Sequence, residues 1–86
     1  MKTYKLKHPI QFGSEMITEL TFRRPTAGDM MDISANPGMA DMIKLASKVS
    51  GTEMAKVRML DIEDTLAVVE IVGGFFPNGQ ATGGNA

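Results

Sequence analysis

The stretch Leu20-Thr21-Phe22-Arg23-Arg24-Pro25-Thr26-Ala27-Gly28-Asp29 marks a change from strand to helix in this 86-residue chain. Apolar and polar residues alternate up to Phe22, which is typical of a half-buried strand. Pro25 then stops the strand, and Thr26 followed three residues later by Asp29 is the pattern of a capping box at a helix start. We therefore predict a structural joint between a sheet and its covering helices, made by Arg23, Arg24, Pro25, Thr26 and Asp29.

Two strands are predicted before the joint, over residues 3–12 and 16–22. The first strand places alternate residues on one face, namely Tyr4, Leu6, His8, Ile10 and Phe12. A two-residue loop, Gly13-Ser14, would turn Leu20 and Phe22 to the face opposite Phe12. A three-residue loop instead pairs Phe12 with Met16 and gathers the large apolar side chains, so we predict that register. Pro9 cannot donate to the strand ladder and indicates an edge strand or a break.

Four short helices are predicted after the joint. The first covers residues 27–34, and the second begins with Asn36 as its cap and Pro37 at its first position, and ends at Gly51. Thr52 would cap the third, and Asp61 would cap the fourth. The fourth helix carries an apolar stripe made by Ile62, Leu66, Val69, Val72 or Gly73, and Phe76.

These elements predict one α+β domain over residues 1–76, an N-terminal β-hairpin followed by about four short α-helices. Residues 77–86 contain three glycines and no large apolar residue, so we expect a disordered, flexible C-terminal tail. A chain of this length has room for only one small core.

Composition excludes several classes of protein. The chain has no cysteine, which excludes disulfides and thiolate metal sites. No apolar run approaches the roughly 20 residues of a membrane span, and no apolar segment of a signal peptide follows the first lysines. We therefore expect a cytoplasmic protein. The net charge is −1 but uneven, since residues 1–24 carry five bases and two acids whereas residues 25–86 carry four bases and eight acids.

Candidate chemistry is sparse. His8 is the single histidine, so a histidine-rich metal site is excluded. Carboxylates cluster at Asp29 and Asp32 and again over residues 61–64, but both clusters lie at predicted helix starts, where capping explains them. We expect no catalytic residues, metal or cofactor. Arg23 and Arg24 could contact phosphate, although two arginines beside an acidic remainder are a weak nucleic-acid signal.

Methionine is the compositional anomaly, with eight residues in the chain. Six of them lie in the predicted helices, namely Met30, Met31, Met39, Met42, Met54 and Met59. Two interpretations stay open: these flexible side chains fill a small core, or they form an adaptable surface for a partner. Because Met30 and Met31 are neighbours, they cannot both face inward, and at least one is expected at a surface.

Three segments together resemble a known family. They are the hairpin start Leu6–Gly13 (Leu-Lys-His-Pro-Ile-Gln-Phe-Gly), the joint with its preceding strand, Ile17–Asp29, and the helix end Val72-Gly-Gly-Phe-Phe76. In this order and spacing they resemble the phage tail assembly chaperones, in particular the group found in Mu-like long-tailed phages and prophages. The resemblance covers roughly residues 5–76, and the joint is its most specific part.

The resemblance implies a non-enzymatic role in building the phage tail. Such chaperones bind the long, helical, hydrophobic tape measure protein, keep it soluble until the tube assembles around it, and are absent from the finished virion. Many are made in two forms, the longer by a ribosomal frameshift. We predict that an apolar groove binds an amphipathic helix of the tape measure protein, and its expected residues are Met30, Met31, Met39, Met42, Phe75 and Phe76.

Alternative functions stay open at the level of sequence. The basic hairpin and Arg23-Arg24 would suit a small nucleic-acid-binding regulator of a mobile element, and a structural virion component is a third candidate. The apolar helices also favour a homo-oligomer, because a small core leaves apolar surface that needs cover. Phe75 and Phe76 could be encoded by a run of uridines, which would make a frameshift site and a longer form of this chain that could act as a further partner.

Overall fold

The computed structural model describes residues 1–76 as a β-hairpin followed by four helices, which confirms the predicted α+β architecture. Strand β1 (Lys2–Phe12) pairs antiparallel with β2 (Glu15–Phe22). The helices are α1 (Ala27–Met30), α2 (Met39–Ser50), α3 (Met54–Val57) and α4 (Ile62–Gly73). The predicted disordered tail, residues 77–86, lies outside the described residues.

The predicted strand register is wrong. Phe12 pairs with Glu15 and Ile10 with Ile17, so the loop is the two-residue Gly13-Ser14, with Gly13 at a φ of 63°. Beyond the turn the register shifts, and Lys5 pairs with Glu19. In β1 the four residues 6–9 therefore face one residue of β2, a bulge that a parity argument with uniform pairing cannot anticipate.

The bulge puts the large apolar residues on the core side without a three-residue loop. In β2 the alternation of inward-facing and outward-facing side chains shifts by one residue between Ile17 and Leu20. Both side chains are therefore buried although they are three residues apart. Met16 and His8, which the uniform register turned inward, are exposed instead. Pro9 lies inside the bulge of a strand that is itself an edge of the two-stranded sheet, so the prediction of an edge strand or a break is confirmed. Because proline has no N–H, it leaves no backbone donor unpaired there.

Three helix boundaries differ from the prediction. Helix α1 ends at Met30, and α2 begins after Gly38 as its cap, so the predicted start at Pro37 is wrong by two residues. Residues 31–38 include serine, asparagine, proline and glycine, which favour turns over helix. Helix α3 follows Glu53, one residue after the predicted cap, whereas Asp61 caps α4 as predicted, its side chain accepting from the Glu63 N–H.

Helices α2 and α4 pack against each other and cover the hairpin, α2 against β2 and α4 against β1. The largest fully buried apolar side chains at the centre are Phe22, Leu45, Val68 and Val72. The predicted stripe of α4 is therefore partly wrong, because Ile62 and Leu66 are 67 % and 51 % exposed while Val68 takes the inner position. No helix within residues 1–76 is long and apolar enough to cross a membrane.

Gly51 ends α2 in the left-handed region, with φ 67° and ψ 21°, as predicted. A Cβ there would meet no atom within 4 Å, so Gly51→Ala adds backbone strain alone. We expect it to lower the free energy of unfolding by about 1 kcal/mol in urea denaturation. The control is Gly28→Ala inside α1, where φ is ordinary and no loss is expected. Equal effects of the two variants would contradict the assignment of strain to Gly51.

Candidate functional site

The predicted joint is built around an ion pair between Arg23 and Asp29. Arg23 follows the end of β2, and its Nη1 and Nη2 donate to the two carboxylate oxygens of Asp29 at 2.7 and 3.0 Å. Asp29 Oδ2 also accepts from the backbone N–H of Thr26 at 2.7 Å and from its hydroxyl at 3.2 Å. One buried carboxylate thus holds the strand end and the start of α1 together, because it accepts hydrogen bonds from both.

The same arginine anchors the end of α2. Its backbone N–H donates to the carbonyl oxygen of Val49 at 3.1 Å, and Nη2 approaches the carbonyl oxygen of Lys48 at 3.4 Å. Both carbonyls lie in the last turn of α2, where positive charge is favourable, and the Lys48 carbonyl oxygen also accepts from the Gly51 N–H at 3.3 Å. Arg23 therefore joins three elements, β2, α1 and α2.

The electrostatics of the joint favour the ionised pair. The hydrogen bonds from Arg23, followed by those from Thr26, hold the pKa of Asp29 well below its usual range, although burial acts in the opposite direction. The pKa of Arg23 is raised, because its guanidinium donates hydrogen bonds to Asp29. The joint is accordingly a structural ion pair.

A second buried carboxylate, Asp64, joins α4 to the bulge of β1. Its Oδ1 accepts from the Tyr4 hydroxyl at 2.7 Å and the Lys7 N–H at 2.9 Å, and its Oδ2 accepts from the His8 N–H at 2.9 Å. Burial alone would raise the pKa of Asp64, but these donors outweigh it and the pKa is lowered. The same contact raises the pKa of Tyr4 to about 12. Sequence reasoning missed this role, assigning Asp64 only to the first turn of α4.

His8 lies outside this buried contact, in an exposed cluster with Asp61 and Glu63. Its Nε2 is 3.0 Å from Glu63 Oε1 and 3.6 Å from Asp61 Oδ2. The hydrogen bond to Glu63 raises the pKa of His8. The three groups lie within 4.8 Å of one another, a spacing that could hold a cation, but Lys7 Nζ already approaches Glu63 at 3.1 Å. The cluster therefore serves as a set of surface ion pairs between β1 and α4.

Three of the predicted partner-binding residues meet at the end of α4. Met30, Phe75 and Phe76, together with Arg24 and Pro25, line a shallow depression of about 210 Å³. The Arg24 guanidinium lies 5.9 Å from the centroid of the Phe75 ring, and its Nη2 donates to the Phe75 carbonyl oxygen at 3.5 Å. The three apolar side chains are half-buried against the core and keep part of their surface in solvent. We call these five residues the α4-end depression.

Comparison with known proteins decides the family. The family model described as "phage tail assembly chaperone proteins, E, or 41 or 14" matches residues 3–77, which is most of the chain. The chain belongs to this family of phage tail assembly chaperones. The resemblance read from the sequence is thereby confirmed. No curated protein and no solved structure matches the chaperone.

The remaining predicted partner-binding residues of the chaperone lie apart from the α4-end depression. Met31, directly after Met30, is 84 % exposed, and Met39 is half-exposed at the start of α2. Met42 is buried in the core, and its Cε lies 3.9 Å from the position of a Cβ on Gly73. Met42 therefore packs α2 onto α4, and an acidic substitution there would test the fold rather than binding.

A second apolar surface of the chaperone was not anticipated from the sequence. It is a groove of about 320 Å³ between α2, α3 and α4, which we call the three-helix groove. Its lining residues are Ala40, Ile43, Lys44, Met54, Val57, Arg58 and Thr65. Ile62, which is 67 % exposed, lies next to Thr65 on the surface of α4, because residues three positions apart are neighbours on a helix. One feature of the sequence could have indicated this second surface. The apolar stripe on α4 is longer than one core face can cover.

Proposed function

We propose that this chaperone binds the tape measure protein of its phage and keeps it soluble during tail assembly. The observation that carries the proposal is the α4-end depression, where two aromatic side chains and a methionine gather at the surface of a member of this family. Binding is non-covalent, with no catalytic step and no cofactor. The chaperone acts in the host cytoplasm and does not remain in the mature virion.

The chemistry of the depression suits an amphipathic helix. Phe75 and Phe76 offer broad apolar contact area, and Met30 adjusts its shape to different side chains. Arg24 keeps its guanidinium at the rim over Phe75, where it can pair with an acidic group flanking the apolar face of the helix. Met31 and Met39 supply further exposed apolar surface for a long partner. A groove with apolar anchors and a charged rim fits the helix-in-groove mode of recognition.

The double variant Met31→Glu/Phe76→Ala should lose capture of the tape measure protein. The first change puts a charge on an exposed apolar contact, and the second removes a half-buried aromatic anchor. Anchors of this kind contribute at least about 1–2 kcal/mol each, so capture should fall by tenfold or more. The measurement is co-purification of the tape measure protein with tagged chaperone after co-expression, together with the soluble fraction of that protein.

The matched control is Met16→Glu, which places the same charge on an exposed methionine of the hairpin. It should capture the tape measure protein as well as the wild type does. Circular dichroism and thermal melting establish that both variants fold. A folded double variant with undiminished capture would place the binding site elsewhere, whereas a wild-type chain that neither captures nor solubilises the tape measure protein would overturn the function itself.

The two alternative functions make different demands on the same chain. A nucleic-acid-binding regulator would need Arg23 and Arg24 at the surface together, but Arg23 is tied to Asp29 by two hydrogen bonds. A gel shift at physiological salt separates this alternative from the chaperone role, because only a regulator retards a DNA or RNA fragment. Mass spectrometry of purified virions tests the third alternative, since a structural component stays in the particle.

A further inference from the structure

A second depression adjoins the α4-end depression and shares one side chain with it. It has a volume of about 400 Å³, and we call it the hairpin-end depression. Its lining residues are Lys2, Glu70, Ile71, Gly74 and Phe75. Phe75 lines the α4-end depression as well. Because one half-buried aromatic side chain borders both depressions, they are adjacent parts of one surface at the end of α4.

Two basic residues line this surface, and both come from the open end of the hairpin. Lys2 begins β1 and pairs with Phe22, the last residue of β2. Arg24 follows Phe22 by two residues. Lys2 lines the hairpin-end depression, whereas Arg24 lines the α4-end depression and lies over the Phe75 ring. The pairing of the two strands therefore supplies one base to each depression.

The surface carries more positive than negative charge. Among the described residues that line the two depressions, Glu70 is the only acid. Lys2, Arg24 and Glu70 are all exposed. Within residues 1–76, none of the three lies within 4 Å of an oppositely charged group. The two bases are therefore not neutralised by ion pairs with this part of the chain, and they favour an acidic partner.

We propose that one amphipathic helix of the tape measure protein lies across Phe75 and fills both depressions, with one acidic group near Arg24 and a second near Lys2. The hairpin-end depression is thus a second subsite, and it rests on the proposed function. Side chains three or four residues apart lie on the same side of a helix. A single helix can therefore place one apolar side chain in each depression, while acids at the edges of its apolar face meet the two bases.

The two bases would select among the helical segments of a long partner. An acidic amphipathic helix brings opposite charge to Lys2 and Arg24, whereas a basic one brings like charge to both and is rejected. Glu70 acts in the opposite sense, because it lines the hairpin-end depression beside Lys2 and repels an acid there. The chaperone should therefore bind acidic amphipathic segments of the tape measure protein more tightly than basic ones.

Fluorescence anisotropy with labelled peptides tests the second subsite. The probes are overlapping peptides of several helical turns that cover the tape measure protein, titrated with the full chaperone chain. Arg24→Glu and Lys2→Glu should each weaken binding of the tightest peptide roughly fivefold or more, because like charges then meet. Lys44→Glu is the matched control, since it reverses the charge of an exposed lysine that lines neither depression, and it should bind as the wild type does.

Glu70→Gln should change binding in the opposite direction. It removes the acid that repels an acidic helix near Lys2, so the same peptide should bind more tightly than it does to the wild type. Damage to the fold could weaken binding but would not strengthen it. Capture of the intact tape measure protein after co-expression should rank the variants in the same order, and circular dichroism establishes that each of them folds.

The possible results separate the subsite from the proposed function. If Lys2→Glu leaves peptide binding and capture unchanged while the wild type binds, the helix does not reach the hairpin-end depression, and the subsite is refuted while the function stands. A wild type that prefers basic segments refutes the subsite in the same way. If the wild type binds no peptide and captures no intact tape measure protein, the proposed function fails and the subsite fails with it.

Discussion

Replacing Asp64 with alanine is expected to remove most of the free energy of unfolding of this domain. Asp64 is fully buried and accepts three hydrogen bonds, from the Tyr4 hydroxyl and from the N–H groups of Lys7 and His8. Alanine leaves these donors without their partner at the β1 bulge. An unsatisfied buried group costs about 1–3 kcal/mol, so the loss should reach roughly 3 kcal/mol or more. A domain of this size has only about 3–5 kcal/mol of net stability.

Urea denaturation monitored by circular dichroism measures this loss, with two variants to interpret it. Asp64→Asn keeps one acceptor oxygen, so its stability should lie between those of the alanine variant and the wild type. Glu63→Ala is the matched control, because it removes a neighbouring carboxylate of α4 whose ion pairs are exposed. Its effect should be much smaller, because exposed ion pairs contribute little to stability. If Asp64→Ala unfolds no more readily than Glu63→Ala, the buried contact does not hold α4 to the hairpin.

The contrast between the two buried aspartates shows what the sequence could specify. Thr26 and Asp29 are three residues apart, and Arg23 is only six residues from Asp29. The joint is therefore local, and capping rules predict it. Asp64 contacts residues nearly sixty positions earlier in the chain. The local sequence pattern gives Asp64 the ordinary role of an acid in the first turn of a helix. Only the folded chain reveals the bulge whose N–H groups donate hydrogen bonds to it.

The candidate binding residues show the same difference between what local sequence predicts and what depends on the packing of distant elements. At least one of Met30 and Met31 could be assigned to a surface because neighbouring residues of a helix cannot both face inward, and Met31 is 84 % exposed. Met42 and Leu66 exchanged their expected places, since the buried side of each helix depends on how α2 and α4 pack together. Apolar spacing fixes the width of a stripe, but on a nearly all-apolar helix such as α4 it does not fix which edge is buried.

Replacing Asp29 with asparagine should make the protein less stable at neutral pH by about 1–2 kcal/mol, and the difference should shrink in acid. Asparagine keeps an acceptor for the Thr26 N–H but loses the charge that pairs with Arg23. A charge-assisted contact of this kind contributes about 1.5–3 kcal/mol. We expect less because the Arg23 side chain is 42 % exposed and water can solvate its charge.

The pH dependence follows from the lowered pKa of Asp29. A carboxylate with a lower pKa in the folded state stabilises that state fully above its unfolded pKa of about 3.9, and the contribution is lost as the pH falls towards the folded pKa. Wild type and Asp29→Asn should therefore differ by a constant amount above about pH 5 and converge below about pH 4. Urea denaturation at a series of pH values measures both curves.

Asp32→Asn is the control for this comparison, because Asp32 follows the same helix and pairs with Lys48 at 2.8 Å but is largely exposed. Its effect at neutral pH should be small, as for most surface ion pairs. A difference between wild type and Asp29→Asn that persisted undiminished in acid would mean that the amide disturbs the helix cap rather than the ion pair. In that case the joint would depend on the capping of α1, and Arg23 would stabilise only the end of α2.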